Sequence, residues 1–274
     1  MKISLSAFVY FNYPIEEAVR RTKAAGFDGI DIWGGRPHCY RRDLKESELL
    51  ALRKRIEGEG LEVVSYIPAQ FRYPTSLCCN IEAIRQDSVR YITDSIENAA
   101  VLGAGVVSVC PGHTLFGQTR EDGLRRLADS LAEITAFAAR HQVRIAIEPA
   151  DAYETDLLNN CQETLAFIFR AGYPGLGVLL DNGHEYVAGQ DCARTVVEMG
   201  SRLFHVHVDD NNGKRDQHLV PGDGAFNFKP FLMALKTAGY EGYLCAELSW
   251  DYTVDPDPAA AATARRLREM LAED

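Results

Sequence analysis

No apolar run in this chain is long enough to span a bilayer, so a membrane partner is not expected. The opening MKISLSAFVYFNYP lacks a basic stretch followed by a long apolar core and a small-residue cleavage site, which makes a cytoplasmic location the default expectation. Basic residues are in deficit. Lys and Arg number 29 against 39 Asp and Glu, and the formal charge of −10 leaves no electrostatic footprint for nucleic acid. The seven cysteines are odd in number, scattered and without a C-x-x-C pair, so reduced thiols are expected rather than a disulfide framework. A glycine-rich phosphate fingerprint is missing after the first strand-like run, FVYFNYPIEEA, which disfavours a doubly wound dinucleotide-binding sheet. No low-complexity linker divides the 274 residues, so a single domain over 1–274 is expected.

What is present is a regular alternation of strand-like and helix-like segments. Strands are predicted at Ile3–Phe8, Gly29–Ile32, Leu61–Tyr66, Val106–Val109, Arg144–Ile147, Gly177–Leu180, Leu203–Val208 and Gly242–Ala246. Amphipathic stretches follow each of them, the last at Pro258–Leu271. AAGFDGIDIW and TAGYEGYLCAEL share a helix end, a Gly, an aromatic, an acidic residue, a second Gly and a strand. Gly26 and Gly239 are placed to take the left-handed conformation that stops a helix. Parallel neighbours need crossover helices, so eight such pairs predict an α/β chain folded as a (β/α)8 TIM barrel.

Four apolar runs in the second half end in a ligand-type side chain: IAIEPA, VLLDNGH, FHVHVDD and YLCAELSW. In a barrel, Glu148, Asp181, His207 and Glu247 converge at the C-terminal rim. Glu148 alternatively serves as a salt bridge at the barrel rim. His205, His207 and Asp209 alternate and so share one strand face; His207 is nearer the rim and is the expected ligand, with His205 supporting it. Carboxylates with one imidazole suit Mn²⁺ or Mg²⁺ first, with Co²⁺ or Ni²⁺ possible. A cation that polarises a carbonyl and the neighbouring hydroxyl acidifies the carbon between them. Glu148 and Glu247 on opposite sides of that carbon are the expected catalytic pair, epimerising a sugar through a metal-stabilised enediolate. One shuttling base would give isomerisation instead.

Further substrate contacts are expected around the same mouth. His184 follows Asp181 by three residues, and Asp216 and His218 lie in the polar loop DNNGKRDQHLVPGDG. Trp33, Arg36 and His38 follow the second strand in WGGRPH; Tyr66, Pro68 and Tyr73 follow the third, and His113 the fourth. Lid packing, a helix cap or a solvated loop are the competing roles for these residues.

These residues match the sugar isomerase/epimerase branch of the xylose isomerase-like barrels, and the chain resembles the ketose 3-epimerases of the tagatose and psicose type. The resemblance implies that Glu148, Asp181, His207 and Glu247 bind Mn²⁺ or a similar ion, and that Glu148 and Glu247 exchange the C3 proton. Glu154, in EPADAYE, and His184, in DNGH, match substrate-contact positions of that family. The segments GFDGIDIWGGRPH, IPAQFRYP, EPADAYET, KRDQHLVPGDG and GYEGYLCAEL most resemble the fructoselysine 3-epimerase type. The simpler ketose epimerases carry an arginine shortly after the metal histidine; Lys214, Arg215 or His218 is expected to replace it here. A ketose or a fructosamine-type ketose is therefore the expected substrate, and a homo-oligomer the expected assembly. Sugar isomerisation, an apurinic endonuclease-like phosphodiesterase and a non-catalytic sugar-binding barrel are the alternatives.

Overall fold

The computed structural model describes residues 1–70 and 75–273. The elements run β1 (Lys2–Ser6), α1 (Ile15–Ala25), β2 (Gly29–Gly34), α2 (Glu46–Gly58), β3 (Glu62–Pro68), α3 (Glu82–Leu102), β4 (Val106–Val109) and α4 (Arg120–Arg140). They continue as β5 (Arg144–Ile147), α5 (Cys161–Ala171), β6 (Leu176–Asp181), α6 (Asn182–Val187), α7 (Cys192–Met199), β7 (Leu203–Val208), α8 (Phe228–Thr237), β8 (Tyr243–Ala246) and α9 (Pro256–Ala272). All eight strands are parallel and close in sequence order, with β1 pairing β8. The expected barrel is therefore present.

The pleat sorts the side chains into two populations. Ile30 and Ile32, Val107 and Val109, Ile145 and Ile147, Val178 and Leu180, and Val206 and Val208 are buried in the layer shared with the helices. The helices answer with matching stripes. In α1, Ile15, Ala18, Val19 and Thr22 are buried at i, i+3, i+4 and i+7. That helix stops at Gly26, whose φ of 98° no β-carbon-bearing residue adopts readily, and Gly239 closes α8 at 69°.

The opposite strand faces fill the barrel. Val106, Ala146, Leu179 and Phe204 make a small apolar plug. Beside it lies a buried polar cluster of Ser4, Asp31, Ser65 and His205. The strand-end residues are carried on this inward face.

Two local differences bear on the rim. The first strand stops at Ser6, where Ala7–Tyr10 form a 3-10 turn. Helix α6, of six residues, begins directly after Asp181, which caps it. All seven cysteines are free. Among the described residues no helix is long and apolar enough to cross a membrane.

Candidate metal centre and active site

Glu148 and Glu247 stand one residue beyond β5 and β8, yet both stay in the ladder. The Glu148 N–H donates to the Val109 carbonyl at 3.0 Å and the Glu247 N–H to that of Val208 at 3.3 Å. Asp181 ends β6 and His207 lies inside β7, directly paired with Asp181 in register. One ligand atom from each of the four lies within 4.8 Å of the others. His207 Nδ1 is 2.9 Å from Glu148 Oε1, 3.1 Å from Glu247 Oε2 and 3.9 Å from Asp181 Oδ2.

These approaches lack hydrogen-bond geometry. Glu148 Oε1, Asp181 Oδ2 and His207 Nδ1 are buried and have no hydrogen-bond partner. Unpartnered buried acceptors that face one another are costly unless a cation lies between them. Two ligands each about 2.1 Å from one ion and roughly at right angles stand about 3 Å apart, which is the spacing found. Three carboxylates with one imidazole fit a fairly hard divalent ion.

The local charges follow from this crowding. Burial opposes protonation of His207, but Glu247 and Glu148 outweigh it and hold the ring well above its ordinary value. Burial raises the Glu247 carboxyl, and His207 more than reverses this, bringing it down to about 2. Burial raises the Asp181 carboxyl. A ligating imidazole must be neutral, so a dication held by these residues would stand in place of a ring proton on His207.

A second group adjoins the first. His218 Nδ1 lies 2.8 Å from Asp209 Oδ2, and its Nε2 2.6 Å from Asp216 Oδ2. His184 Nδ1 accepts the Asp151 N–H at 3.2 Å, so its other nitrogen carries the proton and is a donor. Burial raises the Glu154 carboxyl to about 7, against the pull of His184 and His218. Glu154, His184 and His218 therefore lie together beside the four strand-end residues.

The remaining expected contacts are dispersed. Trp33 meets Phe8 and Phe11 edge-on at 5.4 and 5.8 Å, and Trp250 meets the same two rings at 4.6 and 4.8 Å. Trp33 lies near the C-terminal end of β2, and the other three rings come from the segments after β1 and β8, on the rim side of the barrel. His38 is buried and its Nε2 holds the carbonyls of Tyr10 and Tyr13 at 3.2 and 3.0 Å. Tyr66 is fully buried, with its hydroxyl on the Cys39 carbonyl. Both rings thus pin backbone, and the structure does not bring them to the strand-end group.

Arg36 points outward, pairs with Asp43 at 2.8 Å and covers the Tyr40 ring. His113 is half-buried, with Nδ1 donating to the Thr114 carbonyl at 3.0 Å and 3.6 Å from Asp156. Lys214 and Arg215 are exposed. Tyr73 lies outside the described residues.

Sequence reasoning missed Asp31. This fully buried carboxylate accepts from Ser4 Oγ at 2.6 Å and from Ser65 Oγ, and its Oδ2 is 2.7 Å from His205 Nε2. The signal was available: Asp31 sits between Ile30 and Ile32 in β2, which puts it on the inward face.

Comparison with known proteins agrees with this architecture. Residues 19–270 match the family model described as xylose isomerase-like TIM barrel. The chain is 28% identical to fructoselysine 3-epimerase of Shigella flexneri, over 100% of this chain and 99% of that protein. It is 25% identical to D-psicose 3-epimerase of Enterocloster bolteae, over 85% of this chain and 79% of that one. A crystal structure of D-psicose 3-epimerase in the presence of D-fructose superposes with a TM-score of 0.83 at 18% identity, covering 99% of each chain. The chain belongs to the xylose isomerase-like TIM barrel family.

Proposed function

We propose that residues 1–274 form one catalytic unit, an isomerase that epimerises C3 of a ketose or fructosamine-type ketose. The observation that carries this reading is the convergence of Glu148, Asp181, His207 and Glu247 without hydrogen bonds among them. The chain's likeness to fructoselysine and psicose 3-epimerases supports the substrate class.

In this reading the four residues hold a divalent ion, Mn²⁺ first, which when bound polarises the substrate's carbonyl and adjacent hydroxyl. Glu148 and Glu247 project from strands on either side of β6 and β7, so they face one reacting carbon from two sides. One glutamate, as the carboxylate, takes the C3 proton; the other, as the carboxylic acid, gives its own proton to the opposite face of the planar enediolate, so the pair starts and ends with one proton shared between them. His184 donates to a sugar oxygen from a ring held by the Asp151 N–H. Glu154, poised near neutrality, accepts from or donates to a neighbouring hydroxyl. The rings of Trp33 and Trp250 with Phe8 and Phe11 wall the mouth and limit water. A cytoplasmic homo-oligomer acting on a small sugar, without nucleic acid or membrane, completes the reading.

The test is a metal-replete screen of free ketoses, ketose phosphates and fructosamine-type ketoses, followed by NMR at C3. Inversion at C3 without aldose formation is expected. Aldose formation would reassign the chain as a sugar isomerase, and three tightly held ions with phosphodiester cleavage would reassign it as a phosphodiesterase.

A further inference from the structure

We propose that Arg41 and Arg42, flanked by Arg36 and Arg90, form a binding site for the phosphate group of a small phosphate ester, separate from the strand-end residues.

The formal charge of the chain is −10, yet one cleft gathers four arginines. It lies where the loop between β2 and α2, carrying Arg36, Arg41 and Arg42, meets Arg90 and Asp94 of α3. Arg36 is answered by Asp43 at 2.8 Å, and Arg90 lies 3.4 Å from Asp87. Arg41 and Arg42 have to share Asp94. Arg42 Nε and Nη2 donate to its Oδ1 at 3.1 and 2.7 Å, and Arg41 Nε and Nη2 donate to its Oδ2 at 3.2 and 3.1 Å. The next carboxylate, Asp87, is 3.9 Å from Arg41 and is already engaged by Arg90. One carboxylate cannot neutralise two guanidiniums, so positive charge is left over at this pair.

The pair is also held in place. The Asp94 side chain is only 5% exposed and grips both guanidiniums by their Nε–Nη2 edges. Neither Nη1 group has a hydrogen-bond partner among the described residues, and Arg36, which gives the same edge to Asp43, keeps its Nη1 free as well. Arg41 takes a φ of 38°, a left-handed value uncommon for a residue with a β-carbon. Asn98 Nδ2 donates to the Arg41 carbonyl, and the guanidinium lies over the Tyr91 ring at 5.4 Å. Backbone strain of this kind persists where the surroundings over-determine it, and it concentrates at ligand clamps.

Unused N–H groups on planar cations that a buried anion has already oriented suit an oxyanion. A phosphate group accepts from several guanidiniums at once and carries enough charge to hold them together. The cleft measures about 370 Å³, within the range of small-molecule sites and more than a bare phosphate fills. Tyr40 lines it under the Arg36 guanidinium, 4.5 Å away, and offers a surface to the organic part of an ester. None of Glu148, Asp181, His207 and Glu247 lines this cleft.

Full-length, metal-loaded protein is titrated by calorimetry with glycerol phosphate and, separately, with inorganic phosphate. Both should bind, glycerol phosphate at least as tightly. Arg41→Gln and Arg42→Gln should each weaken both by about tenfold or more, the worth of one lost charge-assisted hydrogen bond. Arg42 is 78% exposed, so its replacement leaves the core undisturbed. Absence of binding in the unaltered protein, or unchanged affinity in either variant, would overturn the site; binding of inorganic phosphate alone would overturn the ester. The titration involves no C3 chemistry, so a failed epimerase assay does not alter its reading.

Discussion

Asp181 divides its carboxylate: Oδ1 accepts the Gly183 N–H at 2.7 Å and so caps α6, while Oδ2 stays unpartnered, 3.9 Å from His207 Nδ1. Cap and ligand are thus separable. Asp181→Asn keeps an oxygen for the cap but removes the anionic ligand; Asp181→Ala removes both. In metal-free protein the Ala variant should be less stable than the Asn variant by about 1 kcal/mol, the usual worth of an N-cap. Both should lose Mn²⁺ affinity to a similar extent in calorimetric titration. Equal stability of the two variants would deny the cap.

Glu148 and Glu247 carry distinct proton transfers in this account, so neither replaces the other. Glu148→Gln and Glu247→Gln should each lower C3 epimerisation by at least about 100-fold, within the range of acid–base catalysis. Circular dichroism should stay unchanged, since both backbones remain in the ladder. A fully active variant removes that residue from the chemistry.

His38 is assigned to the fold through its bonds to the Tyr10 and Tyr13 carbonyls. His38→Ala should cost about 1–3 kcal/mol in denaturant unfolding, the penalty for stranding buried polar groups. Substrate KM should stay unchanged. Burial holds the ring's pKa below its ordinary 6.5. Below pH 6.5 the unfolded chain therefore takes up a proton that the folded chain resists. The His38 contribution is full above that pH and is lost as pH falls further. Unfolding curves across pH 5 to 8 should show a steeper acid-side decline in the unaltered protein than in His38→Gln.

The four strand-end residues could be read from the sequence because each interrupts an apolar run at its C-terminal end, where a barrel collects side chains. His38 and Tyr66 read as mouth residues for the same reason, being polar-tipped groups after strands. Their partners are the carbonyls of Tyr10, Tyr13 and Cys39, and no periodicity reveals a bond to backbone. Helix α6 escaped because six residues are too few to show a period; its cap, Asp181, had already been read as a ligand. Arg36 read as a substrate contact, but its neighbour along the loop, Asp43, neutralises it.

Asp31 and His205 form a buried pair 2.7 Å apart in the barrel, and the Asp31 carboxyl is held below its ordinary value because His205 outweighs the effect of burial. Asp31→Ala should destabilise by about 3–5 kcal/mol, because it strands the imidazole and two hydroxyls. Asp31→Leu combined with His205→Leu should recover much of that loss. A double variant as unstable as Asp31→Ala would show that the pair does more than satisfy itself.

The most direct test of the central claim is deuterium incorporation at C3, read by NMR, when metal-replete protein is incubated in D₂O with ketoses and fructosamine-type ketoses. The account predicts incorporation at C3 for at least one of them, abolished by chelation and by Glu148→Gln or Glu247→Gln. Absence of exchange in every ketose and ketosamine with Mn²⁺ bound would contradict it.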